Sequence, residues 1–219
     1  MKLKYLGVIF DLDGTLVDSL KDIALSMNRA LRLRGFPELP PEAYLGKIGW
    51  GLHRLVYLSL PEDARKEETI VLLASDMAKF YAETPVTYSK PYSGILELVN
   101  TLKGKKVKTA VLTNKQDPVA QKVITALFPP GSFDYVQGEI RGKPRKPDPT
   151  CAWELLIGLD LMPSSTIFVG DSEVDMETAI AAGCFPLGVS WGYRSREIIK
   201  KAGARQIIDR PLDLLEFFR

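Results

Sequence analysis

The chain has 219 residues, of which 46% are hydrophobic and 26% charged, and its 29 basic and 27 acidic side chains leave a formal net charge of +2. This composition is typical of a globular protein with one large domain, or with a core and a smaller insertion. The near-neutral charge argues against a nucleic-acid-binding protein, and no apolar run approaches the ~20 residues of a membrane helix.

Cysteine usage and the first residues indicate the compartment. Cys151 and Cys184 are the only cysteines, and neither belongs to a Cys-x-x-Cys pair, which disfavours a disulfide framework and a zinc site. The basic residues 1–4 precede an apolar run that stops at Asp11 without a small-residue cleavage site, so we expect no signal peptide. We expect a cytoplasmic protein that contacts neither membrane nor nucleic acid, and either a monomer or a homodimer.

The first predicted element is a buried strand over residues 5–10, an apolar run that ends directly at Asp11. Asp13 follows two residues later, and Gly14 begins a turn that lets the second carboxylate swing beside the first. Open α/β sheets hold their ligands at the carboxyl ends of parallel strands, so this pair of carboxylates is a candidate active centre.

A helical segment is predicted after the first strand. Apolar positions at helical spacing indicate a helix over residues 20–35, and prolines separate it from shorter helices at 41–48 and 52–60. A longer helix opens at residues 61–63 and closes at Pro85. We interpret residues 18–87 as a small helical domain inserted into a core that consists of residues 1–17 and 88–219.

After Pro91 the pattern alternates between helix and strand, which is typical of βαβ crossovers in a parallel sheet. Helices are predicted at residues 93–102, 118–127 and 149–157. Strands are predicted at residues 107–112, 135–136, 166–169, 185–189 and 206–208. The predicted fold class is therefore α/β, a Rossmann-like doubly wound parallel sheet with an inserted helical cap domain.

Two further predicted strands end in polar residues that packing does not require. One is followed by Thr113 and Asn114, and the other by Gly170 and Asp171, with Asp175 one helical turn later. Because parallel strand ends share one edge of a sheet, we expect these groups to converge with the first two carboxylates. Several carboxylates repel one another unless a cation neutralises them, and hard oxygen ligands without His or Cys suit Mg²⁺.

A basic side chain is expected to complete such a site, because a bound phosphate brings negative charge that one divalent cation does not cancel. Lys146 lies just before the helix predicted at 149–157 and is the candidate. Lys143 also precedes a proline and is the alternative.

Together these motifs resemble those of the haloacid dehalogenase superfamily of phosphatases. The resemblance spans essentially the whole chain, with Asp-x-Asp-Gly-Thr at 11–15, Thr-Asn at 113–114, Lys-Pro-x-Pro at 146–149 and Gly-Asp-x-x-x-Asp at 170–175. Each string is short, but four of them in the family's order and context form a specific match. The helical insertion resembles the family's helical cap, which would close over the substrate on hinges near residues 17–18 and 88–91.

The resemblance implies hydrolysis of a phosphomonoester through an aspartyl-phosphate intermediate. Asp11 would attack the phosphorus, and Asp13 would protonate the leaving oxygen and then take a proton from water. Thr113 and Lys146 would hold the phosphoryl oxygens. An acid at position 13 goes with phosphatases and phosphomutases in this family, whereas dehalogenases lack it.

The same resemblance implies a magnesium site. Its protein ligands would be the Asp11 carboxylate, the Asp13 backbone carbonyl and the Asp171 carboxylate, while Asp175 would orient the metal site from outside the ligand shell. Taken singly, Asp13 is also compatible with an ordinary turn residue and Asp171 with a helix cap.

Residues 46–54 place several glycines before a predicted helix in the insertion. Backbone amides at a helix start can bind an anion, and this segment resembles the cap specificity loop of phosphoglycolate phosphatases. Gly49, Gly51 and Arg54 are therefore candidate substrate contacts, with the alternatives that the glycines form a packing turn and that Arg54 is exposed to solvent. Asn114 is a fourth, with the alternative that it satisfies loop backbone groups.

Two other polar features are interpreted as structural. His53, the only histidine, is expected to be partly buried or on the surface, because Asp13 already supplies an acid and base. Residues 191–194 border the region after a predicted strand, and we interpret them as a packed loop with an exposed Arg194.

The function implied by the resemblance is a Mg²⁺-dependent phosphomonoesterase of a small phosphorylated metabolite, with 2-phosphoglycolate as the leading substrate. Sugar-phosphate phosphatases, pyrophosphatases and β-phosphoglucomutase are the alternatives, and the mutase is disfavoured because its pattern has an acidic residue where this chain has Gly170. A phospho-acceptor signalling module is the competing class, but receiver domains lack a helical insertion and phosphorylate an Asp further along the chain. A family member that only binds partners is disfavoured by the intact motifs.

Overall fold

The computed structural model describes residues 5–219, so residues 1–4 of the predicted core lie outside the described residues. Its strands are β1 (Gly7–Phe10), β2 (Val17–Asp18), β3 (Lys90–Pro91), β4 (Lys108–Gln116), β5 (Tyr135–Glu139), β6 (Thr166–Gly170), β7 (Phe185–Val189) and β8 (Gln206–Ile208). Six of these strands form one sheet in the order β5-β4-β1-β6-β7-β8, and all its neighbouring strands run parallel. The predicted doubly wound α/β fold is confirmed.

The described α-helices are α1 (Leu20–Leu33), α2 (Leu52–Ser59), α3 (Glu67–Glu83), α4 (Ile95–Gly104), α5 (Asp117–Leu127), α6 (Thr150–Gly158), α7 (Glu173–Ala182) and α8 (Arg196–Lys201). Short 3₁₀ segments occur at Pro41–Tyr44, Glu62–Ala64, Pro163–Ser165 and Pro211–Phe218. Across residues 5–219, no helix combines the length and the apolar character that crossing a membrane requires.

Strand β1 lies at the centre of the sheet, and its side chains pack on both faces. Val8 and Phe10 belong to one apolar cluster and Ile9 to the other, as expected for a strand whose successive side chains alternate between faces. The chain continues from β1 first to β4 on one side and later to β6 on the other. The strand order therefore reverses at β1, which opens a crevice at its carboxyl end.

Helices α1 to α3 occupy the predicted helical insertion. The chain enters it through β2 and returns through β3, and these two strands pair antiparallel outside the main sheet. Asp22 in α1 fixes the return, because its carboxylate accepts hydrogen bonds from the backbone N–H groups of Tyr88 and Ser89. The paired β2 and β3 coincide with the expected hinges, while the division into a core and a cap domain stays a prediction.

Two predicted boundaries in the insertion are wrong. The segment 41–48 forms only the 3₁₀ turn Pro41–Tyr44, and the long helix begins at Glu67 instead of residues 61–63. Lys66 has an extended backbone (φ −94°, ψ 143°), which interrupts the helical conformation after the 3₁₀ turn Glu62–Ala64. The acidic residues that follow Lys66 then lie in the first turn of α3, where the helix dipole favours them.

Strand β4 is longer than predicted. The sequence pattern predicts a strand over residues 107–112, whereas the observed strand continues to Gln116, with an irregular register to β5 after Leu112. The additional residues Thr113, Asn114 and Lys115 therefore belong to the strand and are all buried.

Arg194 connects the insertion to the core, and the expectation that it is exposed is wrong. Its side chain is buried and donates to the Glu173 carboxylate, with 3.0 Å between Nε and Oε2. It also donates to three backbone carbonyls of the insertion, those of Leu45, Gly46 and Ile48. The planar guanidinium has five N–H donors, which suits a cluster of acceptors that a single ammonium would not satisfy.

We predict that Arg194→Met lowers the free energy of unfolding by about 3 kcal/mol, because a half-buried carboxylate and three backbone carbonyls lose their donor. Urea denaturation of the variant and the unchanged protein measures this difference. Arg196→Met is the control, since Arg196 pairs with Asp209 at an exposed site and its loss should cost much less. Equal small losses for both variants would contradict the structural role of Arg194.

Candidate active site

Three buried aspartates meet in the crevice at the centre of the sheet. Asp11 follows β1, Asp171 follows β6, and Asp175 lies in the first turn of α7. One carboxylate oxygen from each lies within 4.8 Å of the other two, and the residues are between 1% and 5% exposed. The predicted convergence of polar strand ends therefore produces a set of oxygen donors that could hold a metal ion.

The aspartate cluster carries more negative charge than its surroundings neutralise. Burial raises the pKa of Asp11 to about 7, and the Asp175 carboxylate adds to this while Lys146 opposes it. Burial together with the Asp175 and Asp11 carboxylates raises the pKa of Asp171 well above its usual value. A divalent cation would favour the ionised carboxylates, so the donor set fits a metal ion electrostatically as well as chemically.

Lys146 supplies the positive charge inside this cluster. Its Nζ lies 2.8 Å from Asp11 Oδ1 and 2.6 Å from Asp175 Oδ1, and the residue is 3% exposed. Burial alone would lower the pKa of Lys146, but the two carboxylates outweigh it and the pKa is raised. Lys143 is exposed and pairs with Glu154, so the structure brings Lys146 to the cluster and leaves Lys143 outside it.

Asp171 is enclosed by backbone that has no room for a side chain. A Cβ atom at Gly14 or at Gly192 would collide with the Asp171 side chain, and Gly14 has a φ of +88°, which also favours glycine. Asp171 accepts hydrogen bonds from Thr15 Oγ1 at 3.2 Å and from the Tyr193 backbone N–H at 2.7 Å. The loop that carries Gly192 and Tyr193 therefore forms part of the site.

Both carboxylate oxygens of Asp175 accept hydrogen bonds that fix its position. Oδ1 accepts from Lys146, and Oδ2 accepts from the Ser172 backbone N–H at 3.1 Å and the Ser172 hydroxyl at 2.6 Å, which completes a capping box for α7. A Cβ atom at Gly170 would collide with Asp175, so the glycine before Asp171 is required by this packing.

Asp13 faces a separate group of donors. Its Oδ1 accepts from the Ser19 hydroxyl at 2.5 Å and from Lys115 Nζ at 2.6 Å. Ser19 is in turn fixed by Tyr193, whose hydroxyl oxygen accepts from the Ser19 backbone N–H at 2.9 Å. Lys115 is absent from the predicted site because the strand was expected to end at residue 112, although it directly follows the polar pair Thr113 and Asn114.

A cavity of about 70 Å³ lies between the insertion and the strand ends. Several predicted site residues line it, namely Asp11, Asp13, Thr113, Asn114, Gly49 and Gly51. Much of the remaining lining is apolar and includes Ile23, Leu55 and Met77. The cavity therefore combines polar groups at the strand ends with an apolar wall.

Two of the predicted substrate contacts have other partners. Asn114 Nδ2 donates to the backbone carbonyls of Gly49 and Lys146, both at 2.9 Å, so its amide nitrogen serves the loop backbone. Arg54 does not line the cavity, because it is exposed and its guanidinium lies over the Tyr57 ring at 4.9 Å from the centroid. The structure therefore does not bring Arg54 to the site.

Gly49 and Gly51 have φ values of +109° and +86°, which favour glycine, and Gly51 precedes the first turn of α2. His53 is a surface residue that pairs with Glu67.

Comparison with known proteins adds independent information. The family model for haloacid dehalogenase-like hydrolases matches residues 8–189. A phosphoglycolate phosphatase from Aquifex aeolicus (strain VF5) is 36% identical over 186 residues, which cover 85% of this chain and 85% of the relative. One from Haemophilus influenzae (strain 86-028NP) is 34% identical over 217 residues, with 94% and 95% covered. A crystal structure of a candidate phosphoglycolate phosphatase from Lactobacillus delbrueckii subsp. bulgaricus has a TM-score of 0.92 at 30% identity and 99% coverage of both chains.

We predict that Gly14→Ala lowers the free energy of unfolding by about 3 kcal/mol, because it adds a clash with Asp171 to the strain of a positive φ. Gly35→Ala is the matched control. Gly35 has a φ of +75° but no atom within 4 Å of an added Cβ, so only the backbone strain, about 1 kcal/mol, should appear. Chemical denaturation measures both values, and equal losses would contradict the close approach of Gly14 to Asp171.

Proposed function

The chain belongs to the haloacid dehalogenase-like hydrolase family and is a phosphatase, and from that premise we propose that it hydrolyses 2-phosphoglycolate. The observation that carries this proposal is the buried cluster of Asp11, Asp171 and Asp175 at the end of β1, in which Lys146 bonds to Asp11 and Asp175. The small cavity beside the cluster supports a small phosphorylated metabolite. Relatives that carry the name phosphoglycolate phosphatase support the choice of substrate.

Asp11 is the proposed nucleophile. One of its carboxylate oxygens attacks the phosphorus, so that an oxygen–phosphorus bond to Asp11 forms while the bond to the leaving oxygen breaks. Lys146 bonds to Oδ1 at 2.8 Å and thereby fixes the orientation of the carboxylate. The positive charge of Lys146 also favours the ionised form that attack requires.

Asp13 is the proposed general acid and base. It lines the cavity beside Asp11, and Ser19 and Lys115 fix its carboxyl group. Its proton goes to the leaving oxygen, which departs as an alcohol. In the second step Asp13 takes a proton from the water that attacks the aspartyl-phosphate, and inorganic phosphate is released.

Thr113 and Lys146 are proposed to hold the phosphoryl oxygens. The Thr113 oxygen accepts the Lys115 backbone N–H at 3.2 Å, which leaves the hydroxyl proton for a phosphoryl oxygen. The Lys146 ammonium adds a charged donor on the side of Asp11. Donors fixed before the reaction are most effective where negative charge develops.

Mg²⁺ fits the acidic oxygens of the site. We propose that the Asp11 carboxylate, the Asp13 backbone carbonyl and the Asp171 carboxylate hold it, and that Asp175 orients the site through Lys146. When bound, the ion supplies positive charge that offsets the carboxylates and the phosphoryl group. The enclosure of Asp171 by Gly14 and Gly192 supports its part in this set.

The helical insertion is proposed to close over the substrate and exclude bulk water, moving on the paired strands β2 and β3. Bonds from Arg194 and Asn114 to backbone carbonyls of the insertion support a closed arrangement. A cytoplasmic location is supported by two free cysteines, both buried. We propose that the protein is either a monomer or a homodimer.

We predict that phosphate release is fastest from 2-phosphoglycolate when it is compared with sugar phosphates, pyrophosphate and p-nitrophenyl phosphate in the presence of Mg²⁺. Chelation of the metal should abolish turnover. Asp11→Asn should lower kcat by at least about a thousandfold, because the amide cannot form the intermediate.

Asp148→Asn is the control, because Asp148 lies in the same loop as Lys146 but is exposed and accepts the Thr150 backbone N–H outside the site. This variant should retain turnover. Full activity of Asp11→Asn would overturn the assignment of the nucleophile, and a sugar phosphate with the highest kcat/KM would overturn the choice of substrate.

A further inference from the structure

Lys115 is the only cationic residue in residues 5–219 that lines the cavity. Its side chain is 4% exposed and extends from β4, next to the proposed general acid Asp13. Much of the surrounding wall is apolar, and Ile23, Leu55 and Met77 contribute to it. A buried ammonium in such a place is costly unless it is paired, so its partners indicate what the cavity is built to hold.

The hydrogen bonds of Lys115 leave donors for a ligand. Among the described residues, Nζ donates to Asp13 Oδ1 at 2.6 Å and to the Tyr81 hydroxyl oxygen at 2.7 Å. An ammonium has three N–H donors, so one remains. The Tyr81 oxygen accepts from Lys115 and keeps its own O–H, and burial raises the pKa of Tyr81 well above its usual value, so this hydroxyl stays protonated.

The free donors of Lys115 and Tyr81 lie close to where the leaving group of the substrate would bind. A general acid must lie within hydrogen-bond reach of the leaving oxygen, so the atoms bonded to that oxygen lie beside Asp13. A carboxylate attached through one carbon to the leaving oxygen is therefore within reach of the ammonium that contacts Asp13. We propose that Lys115 and Tyr81 form the subsite that binds a carboxylate on the leaving group, which makes them the residues that select a 2-phospho carboxylic acid.

This inference rests on the proposed function and assigns the substrate selectivity to named residues. Tyr81 belongs to α3 of the insertion and Lys115 to β4 of the sheet, so the subsite is complete only when the two parts are in contact. The other basic side chains near the cavity have different partners. Arg145 pairs with Glu139 at 3.1 Å, and Arg54 lies over Tyr57.

The test compares two esters that share the phosphoryl group and differ in the carboxylate. Binding of 2-phosphoglycolate and ethyl phosphate to the Asp11→Asn protein with Mg²⁺ is measured by titration calorimetry. We expect 2-phosphoglycolate to bind at least about 30-fold more tightly, as for a buried charge-assisted contact. Adding Lys115→Met should reduce this preference to about threefold or less.

The ratio of the two dissociation constants is used because any effect of Lys115 on Asp13 or on the phosphoryl site changes both esters together. Tyr81→Phe keeps the aromatic ring and should reduce the preference by about fivefold, which provides a second variant should Lys115→Met fold poorly. Lys143→Met removes an exposed lysine and should keep the full preference. The ratio of kcat/KM values for the two esters, measured without Asp11→Asn, should change in parallel.

Three results would overturn the inference. They are a lack of preference for 2-phosphoglycolate in the Asp11→Asn protein, an equal loss of affinity for both esters in Lys115→Met, and a preference that survives in Lys115→Met and Tyr81→Phe. If one of these results occurs but the unchanged enzyme still releases phosphate from any of the esters, only the inference about Lys115 and Tyr81 fails, and the phosphatase function is retained. Absence of release from every ester is the separate result that would remove the proposed function.

Discussion

Negative charge confined to a small buried space is the constraint on which the other features of this structure depend. Asp11, Asp171 and Asp175 share the crevice at the end of β1, where one lysine, Lys146, offsets part of their charge. Their close approach requires backbone without side chains, which explains glycines such as Gly14 on the wall of the crevice. A site with surplus negative charge and oxygen donors is suited to a divalent cation, and with that cation to a phosphate ester.

The groups that we propose to act on the leaving group depend on contacts with the insertion. Asp13 is fixed by Ser19 from the entrance to the insertion and by Lys115 from β4, and Lys115 also contacts Tyr81 of α3. Arg194 holds residues 45–48 of the insertion against the core. The proposed selectivity and acid catalysis therefore depend on the placement of the insertion, whereas Asp11, Thr113 and Lys146 of the proposed phosphoryl site belong to the core.

The fold and the convergence of the site could be predicted because parallel strands present their carboxyl ends at one edge, so polar residues after apolar runs identify the site. The sequence favours Lys146 over Lys143 as the basic residue, but only the path of the loop shows that Lys146 reaches the aspartates and Lys143 does not. Lys115 was missed because the irregular end of β4 continues beyond its apolar run. The burial of Arg194 depends on carbonyls about 150 residues away in the chain, and the position of Arg54 outside the cavity depends on which side of α2 meets the core. Local patterns do not encode such tertiary partners.

The most direct test of this account is the position of a divalent cation in crystals soaked with Mn²⁺, which replaces Mg²⁺ at octahedral oxygen sites and gives an anomalous signal. The account predicts one strong anomalous peak at about 2.2 Å from carboxylate oxygens of both Asp11 and Asp171, with Lys146 still bonded to Asp175. No peak between those two aspartates at saturating Mn²⁺, with the strongest peak elsewhere on the protein, would contradict it.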